Sequence, residues 1–409
     1  MPQLYDNRKQ RFTFLLLLFY AAVIFMFDAD ESKIRFIYIA YGVLLLNLLI
    51  RTGGFVLFKE TKFLAGYFVF GAISLVWSYD AHTSFIRARG VLLLVTFLVL
   101  LTSYAFWVKK TMSLIVALGF GSVALSLYMM MLYGGFSGMA AALNMNARIG
   151  WEINNVNAIG NSCAIGMVAI FGIALLYNKR LIYLVLLPVG MCFLAAGSRT
   201  ATLSLFAGIA ILVFLLSKVE GNSASSFSRI LLIICILGAV FISIRDFPAV
   251  RELSLRIENA FSVLTGGEAI IKEASVQTRE EYVKLGWRQF LKSPIWGNGI
   301  GCAGYAMLEK YGYVTYLHNN YIEILASGGL IGFVLYYTPY YIVLKNHVRR
   351  IFKYREQNPV LFISFALLVT KLVGHMGTVV YYSKIEYLLL AIWISIAHEG
   401  DVNYIDDQR

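Results

Sequence analysis

The chain has 409 residues, 59% hydrophobic and only 14% charged, with a mean hydropathy of +0.71 and a formal net charge of +12. Soluble domains carry roughly 25% charged residues, so a water-soluble globular protein is excluded and a polytopic membrane protein is implied. With apolar runs this dense, the positive charge points to anionic lipid or a phosphorylated substrate, and away from nucleic acid.

Apolar runs at roughly 12–27, 34–50, 63–78, 90–107, 111–133, 156–177, 181–197, 200–217, 229–244, 319–345, 359–380 and 384–398 predict an all-α fold with about twelve transmembrane helices, each judged against a span of ~20 residues. The third and twelfth runs carry the weakest signal. Basic residues precede the first run and no small-residue cleavage site follows it, so it reads as a retained helix and not a signal peptide. If both termini are cytoplasmic, the inner segments carry more than twice the lysine and arginine of the short outer loops. The chain then divides into residues 1–244 (helices one to nine), an external segment at 245–318, and residues 319–409 (helices ten to twelve and a cytoplasmic tail). Cys163, Cys192 and Cys235 lie inside apolar runs and Cys302 in the polar segment. No CxxC or Cys/His spacing predicts a disulfide framework or a zinc site, and neither metal nor cofactor is expected.

The external segment is the only long stretch unlike a membrane span. RELSLRIENAFSVL places Leu253, Ile257, Phe261 and Leu264 on one helical face; REEYVKLGWRQFLK does the same with Val283, Trp287, Phe290 and Leu291. Both read as amphipathic helices at the membrane interface. Pro294 ends the second helix, and Gly297, Gly299 and Gly301 give a turn that allows close backbone approach.

Arg87, Arg89, Arg148 and Arg199 all fall on the outer face, where positive charge is scarce. Brought together they repel one another unless an anion, or carboxylates such as Glu152, Glu252, Glu258, Glu280 and Glu281, neutralise them. Arg199, in AAGSRTATLS, interrupts apolar sequence; arginine near hydrocarbon costs roughly 2.5–3.5 kcal/mol, so it either faces a polar cavity or snorkels to the interface. Ser198 and Thr200 beside it can bind the same anion or cap the next helix. Arg279 begins the second amphipathic helix, and a helix N-terminus favours an anion, although Glu280 and Glu281 can satisfy that end themselves. His318, in LHNNYIEI, stands where the external segment enters the membrane. With an ordinary pKa near ~6.5 it can take a proton at neutral pH, though a lone histidine at a helix mouth also serves structurally. Asn319 and Asn320 after it can cap the helix. Two arginines and a histidine suit glycosyl transfer from a lipid diphosphate: guanidiniums hold the leaving diphosphate and the imidazole deprotonates the attacking hydroxyl.

The order GSRTA (197–201), TREEYVKLGWRQFLKSPIWGNGIG (278–301) and HNNYIEILASGGLIG (318–332), with NNVNAIGN at 154–161, resembles the O-antigen ligase and polymerase superfamily of Wzy and WaaL types. The motifs cover about the second half of the chain. The resemblance implies a GT-C-like, metal-independent, inverting glycosyltransferase in the bacterial inner membrane, working at its periplasmic face on undecaprenyl-diphosphate-linked glycan as donor and acceptor. It implies His318 as the group activating the acceptor hydroxyl, and Arg199 and Arg279 as holding the diphosphate. Arg148, Asn157, Ser198, Asn319 and Arg288 complete the candidate substrate-binding residues. Arg87 and Arg89 have no counterpart in the family pattern. Membrane lipids and a chain-length regulator protein are the other candidate partners. A repeat-unit polymerase is favoured over a ligase acting on lipid A–core; a lipid-linked oligosaccharide flippase is the alternative of another class, although no internal repeat of the transporter kind is visible.

Overall fold

The structure, a computed structural model, describes residues 7–28, 31–144, 149, 156–219 and 274–399. The expected ninth span, the first amphipathic helix and Arg148 lie outside the described residues. The fold is all-α: α1 (Asn7–Phe27), α2 (Ile34–Arg51), α3 (Lys59–Ile73), α4 (Ala81–Val108), α5 (Thr111–Leu132), the short α6 (Gly135–Asn144), α7 (Val156–Tyr177), α8 (Leu186–Ala196) and α9 (Arg199–Val219). After the segment outside the description come α10 (Ala274–Lys292), the single turn α11 (Leu308–Tyr311), α12 (Asn320–Val348), α13 (Pro359–Gly374) and α14 (Lys384–Ala397). Among the described residues, seven helices are long and apolar enough to cross a membrane; the stretch Arg180–Ala196 and α13 are apolar but shorter.

The ends of these helices gather into two layers. At one, the Lys384 ammonium at the start of α14 pairs with Asp28 just past α1 at 2.7 Å, and the Ser383 hydroxyl donates to the same carboxylate at 2.8 Å. At the other, His398 beyond α14 meets Glu60 of α3 at 3.1 Å, and Arg350 forms a two-pronged pair with Glu356 at 2.7 Å.

The weak twelfth apolar run has a structural reason. α14 is buried from Ile385 to Ala397 on every face, enclosed by protein. A helix that is apolar all round belongs in a core, and one that meets no lipid need not match the bilayer's thickness. Where α5 crosses α7, a methyl group on Gly166 would lie 1.9 Å from the Ser122 hydroxyl, so the absent side chain sets the helix separation.

α10 buries a face that the expected apolar stripe marks only at Phe290. Tyr282, Gly286 and Phe290 point into the protein, whereas Trp287 and Leu291 of the expected stripe are exposed. A Cβ on Gly286 would meet Leu317 and Ile322, so the small residue lets α10 settle on the start of α12. Tyr282, Ala303, Met307, Leu317 and Ala326 form a second, smaller core beneath this segment. The larger side chains Trp287, Leu291, Ile295 and Trp296 stay outward, as on a helix at a lipid interface.

The glycine turn after α10 is knitted to two helices at once. Inside α12, Gly329 adopts φ 60°, ψ −160°, which breaks the helical ladder. Two amides freed there are taken by the turn: Leu330 N–H donates to Pro294 C=O at 2.8 Å, and Ile331 N–H to Ile295 C=O at 3.2 Å. On the other side Tyr79 N–H donates to Asn298 C=O at 2.9 Å, and the Ser84 hydroxyl to Ile300 C=O at 2.9 Å. At Gly301, φ +81°, any Cβ would strike the Arg87 side chain at 2.4 Å.

Candidate active site

His318 stands at the mouth of α12 with φ +55°, a left-handed conformation that costs a non-glycine residue about 1–3 kcal/mol. Its neighbours hold it there. Leu317 N–H donates to Glu323 Oε2 at 2.9 Å, a carboxylate buried one turn into α12. Asn319 is the N-cap, its Oδ1 accepting from Tyr321 N–H at 3.0 Å and Ile322 N–H at 3.2 Å. Asn320 is fully buried. Its Oδ1 accepts from the amides of Val380 and Tyr381, its N–H donates to His375 C=O, and its Nδ2 donates to the Tyr337 hydroxyl. Asn320 therefore clasps the loop between α13 and α14 to the start of α12. Asn319 spends its side chain on capping, and its Nδ2 reaches Met376 C=O only at 3.5 Å.

Tyrosines wall the imidazole. The Tyr316 ring lies 4.2 Å from it between centroids, and the Tyr282 ring stacks at 6.1 Å. The Tyr282 and Tyr313 hydroxyls bond to one another at 2.8 Å. Nδ1 of His318 is buried with no hydrogen-bond partner among the described residues. Burial, and then the charge of Arg279, push the His318 pKa down to about 4. The imidazole is thus neutral at physiological pH and able to accept a proton. Burial also raises the Tyr316 pKa, while Arg279 pulls it down.

Of the expected arginines, Arg279 is one whose charge acts on both His318 and Tyr316. It does not begin its helix. α10 starts at Ala274, so Arg279 sits in the second turn and the free amides of the helix end lie away from it. Its angular position is shared with Tyr282, Gly286 and Phe290, on the face toward α12. The neighbouring acids are turned to lysines: Glu280 pairs with Lys284 at 2.5 Å, and Glu281 with Lys310 and the Tyr311 hydroxyl. Arg288 is exposed on the opposite side of α10, and the structure does not bring it to His318.

Arg199 opens α9 at the same end of the bundle, half-buried. Thr200 beside it packs on Gly377, one residue past Met376, whose carbonyl receives Asn319. Arg199 and His318 therefore flank the same turn of the loop between α13 and α14. Ser198 is buried and caps α9, its hydroxyl 3.5 Å from the Ala201 amide and its Cβ against Gly160 of α7. Asn157, in the first turn of α7, gives its carbonyl to Asn161 Nδ2 at 2.9 Å. Of the other acids expected to balance the arginines, Glu152, Glu252 and Glu258 lie outside the described residues.

Three features of the site were not anticipated from sequence. Arg87 threads past Gly301, stacks over Tyr382 at 4.1 Å, and lies within electrostatic reach of Glu323. Glu323 itself is an acid in an apolar helix, and that alone was a signal. Behind the loop, Lys371 and Glu386 pair at 2.8 Å in full burial, with His375 at 3.1 Å from the same carboxylate and Tyr340 donating to it. Lys371 also lines a cavity of about 100 Å³ with Asp28, Asn161, Thr378 and Tyr382. Among the described residues, no three His, Cys, Asp or Glu side chains gather as a metal-ligand set.

A family model described as O-antigen ligase matches residues 182–337, a stretch containing Arg199, Arg279 and His318 and beginning after Asn157. No curated protein matches the chain.

Proposed function

The chain belongs to the O-antigen ligase/polymerase superfamily, and from that premise we propose that it polymerises undecaprenyl-diphosphate-linked repeat units at the outer face of the bacterial inner membrane. The observation that carries the proposal is a neutral imidazole with an unpartnered Nδ1, set among tyrosines and beside a guanidinium at the bundle's mouth. His318 takes the proton from the acceptor sugar hydroxyl as that oxygen attacks the anomeric carbon of the donor glycan. The bond from that carbon to the phosphate oxygen breaks, and the electron pair leaves with the diphosphate. Arg279 and Arg199 take up that charge, which grows as the bond lengthens and is held best by fixed cations. Attack opposite the leaving group inverts the anomeric centre. The tyrosines Tyr282, Tyr313 and Tyr316 offer ring faces to the sugars on either side of the reacting bond.

Transfer to lipid A–core is the second reading, favoured by the description of the matched family model as a ligase. Purified protein supplied with synthetic polyprenyl-diphosphate repeat units, in the presence of EDTA, separates the two. A product ladder supports the polymerase. Product only when lipid A–core is added supports the ligase. Lipid movement across vesicles with no new glycosidic bond defeats both and leaves a flippase.

A further inference from the structure

A second cavity lies outside the His318 site, between α2 and α4 at the same end of the bundle. Its volume is about 150 Å³, with Ile37, Tyr38 and Leu94 among its apolar walls and Arg87, Arg89 and Lys384 as its cations. The Tyr41 hydroxyl donates to Leu93 C=O at 2.8 Å on the inward side, so the groove is pinned between the two helices about two turns below Ile34. Its flank is open and apolar: Tyr38 and Ile86 are exposed, as are Phe36 and Phe85 beside them.

The cations differ in how they are compensated. Lys384 is paired with Asp28 at 2.7 Å. Arg87 is stacked on Tyr382 and faces the field of Glu323. Arg89 is exposed and makes no ion pair or hydrogen bond with any described residue. A cationic rim over an apolar slot that opens sideways fits a molecule with an anionic head and a hydrocarbon tail; a free phosphate has no use for the walls.

The geometry points to this groove as the seat of the diphosphate and first tail units of the acceptor lipid, an assignment that rests on the glycan transfer proposed above. In chain growth the acceptor's reacting hydroxyl lies at the non-reducing end of its repeat. The acceptor's own diphosphate must therefore sit away from His318 while its sugars reach it. Arg87 and Tyr382 join the two places: both line the groove, and the Glu323 that Arg87 faces also fixes the backbone before His318.

The test uses the full-length protein in nanodiscs of neutral phosphatidylcholine and a photoreactive polyprenyl diphosphate carrying no sugar. The wild type should crosslink within residues 34–41 and 86–94, and unlabelled polyprenyl diphosphate should compete. Neither inorganic pyrophosphate nor an equal amount of phosphatidylglycerol should do so. Arg89→Glu, at an exposed position without an ion pair, should lower groove labelling by about tenfold or more, the worth of one charge-assisted contact, with the melting temperature unchanged. Equal competition by phosphatidylglycerol makes the groove a general phospholipid seat and overturns the acceptor assignment. So does unchanged labelling of Arg89→Glu, or wild-type labelling confined to the His318 side. The ladder assay separates the two proposals: a ladder without groove labelling removes only this inference, and specific groove labelling with no glycosidic bond formed removes the transfer reading and the acceptor role with it.

Discussion

Gly329→Ala is a direct probe of how the turn after α10 plugs into the bundle. At φ 60°, ψ −160° the backbone occupies a region open essentially to glycine alone, at a cost of about 1–3 kcal/mol for alanine. The new methyl would stand 2.4 Å from Ile295 O, 2.5 Å from its carbonyl carbon and 2.7 Å from Gly297 N. All three are backbone atoms, and none can swing aside. Relief requires the turn to lift, which surrenders the bonds from Leu330 N–H to Pro294 and from Ile331 N–H to Ile295. Each contributes about 0.5–1.5 kcal/mol, so the whole penalty is about 2–6 kcal/mol. Gly42→Ala is the control: a methyl there meets nothing within 4 Å inside α2, and alanine should stabilise by about 0.5–1 kcal/mol. Thermal unfolding of both variants in one detergent, followed by tryptophan fluorescence, reads the difference; Trp296 lies in the turn and packs edge-on against Trp77 at 6.0 Å. A Gly329→Ala protein as stable as the wild type would refute the docking argument.

Other consequences follow from the same contacts. His318 must be neutral to accept a proton, and burial and Arg279 both favour that form, so kcat/KM should hold as pH falls through the ordinary imidazole range and drop only near pH 4. Arg279→Gln should move that acid limb upward, but by less than half of the way to the ordinary value, because burial is the larger cause; kcat/KM should also fall about tenfold or more with the lost charge contact. A limb that moves downward contradicts the electrostatic picture. Lys371→Met leaves the Glu386 carboxylate in the core with only His375 and Tyr340, and should destabilise by about 3–5 kcal/mol. Pairing it with Glu386→Gln should recover part of that loss in the same melting assay; no recovery would mean that the pair is not coupled.

The membrane helices were legible because a span is a composition, readable run by run. Which face of a helix meets protein was not. In α10 the expected stripe splits: Trp287 and Leu291 are exposed while Phe290 is buried, and the contact with α12 is made at Gly286. Beside a bilayer an apolar residue has two favourable places to go, so a hydrophobic stripe no longer says where the core is. For the same reason the short run at α14 gave no sign of being the enclosed centre of the bundle. His318 and its cap were legible from LHNNYIEI, since capping is local. Arg87 meets Tyr382 and the field of Glu323 from far away in the chain, and the Lys371–Glu386–His375 cluster bridges α13 and α14 across their loop, so no helical spacing announces either. The start of α10 was placed five residues late, because Ala274–Thr278 lacks the charged and apolar alternation that drew attention to Arg279.

Separating binding from chemistry at His318 tests the proposed mechanism most directly. Polyprenyl-diphosphate glycan is titrated onto wild type, His318→Ala and an Arg199→Gln/Arg279→Gln double variant, each shown to melt as a folded protein, and single-turnover transfer is then measured on the bound complex. Affinity should be retained in His318→Ala with transfer abolished, and weakened at least about tenfold in the double variant. Transfer by His318→Ala at the wild-type rate would contradict it.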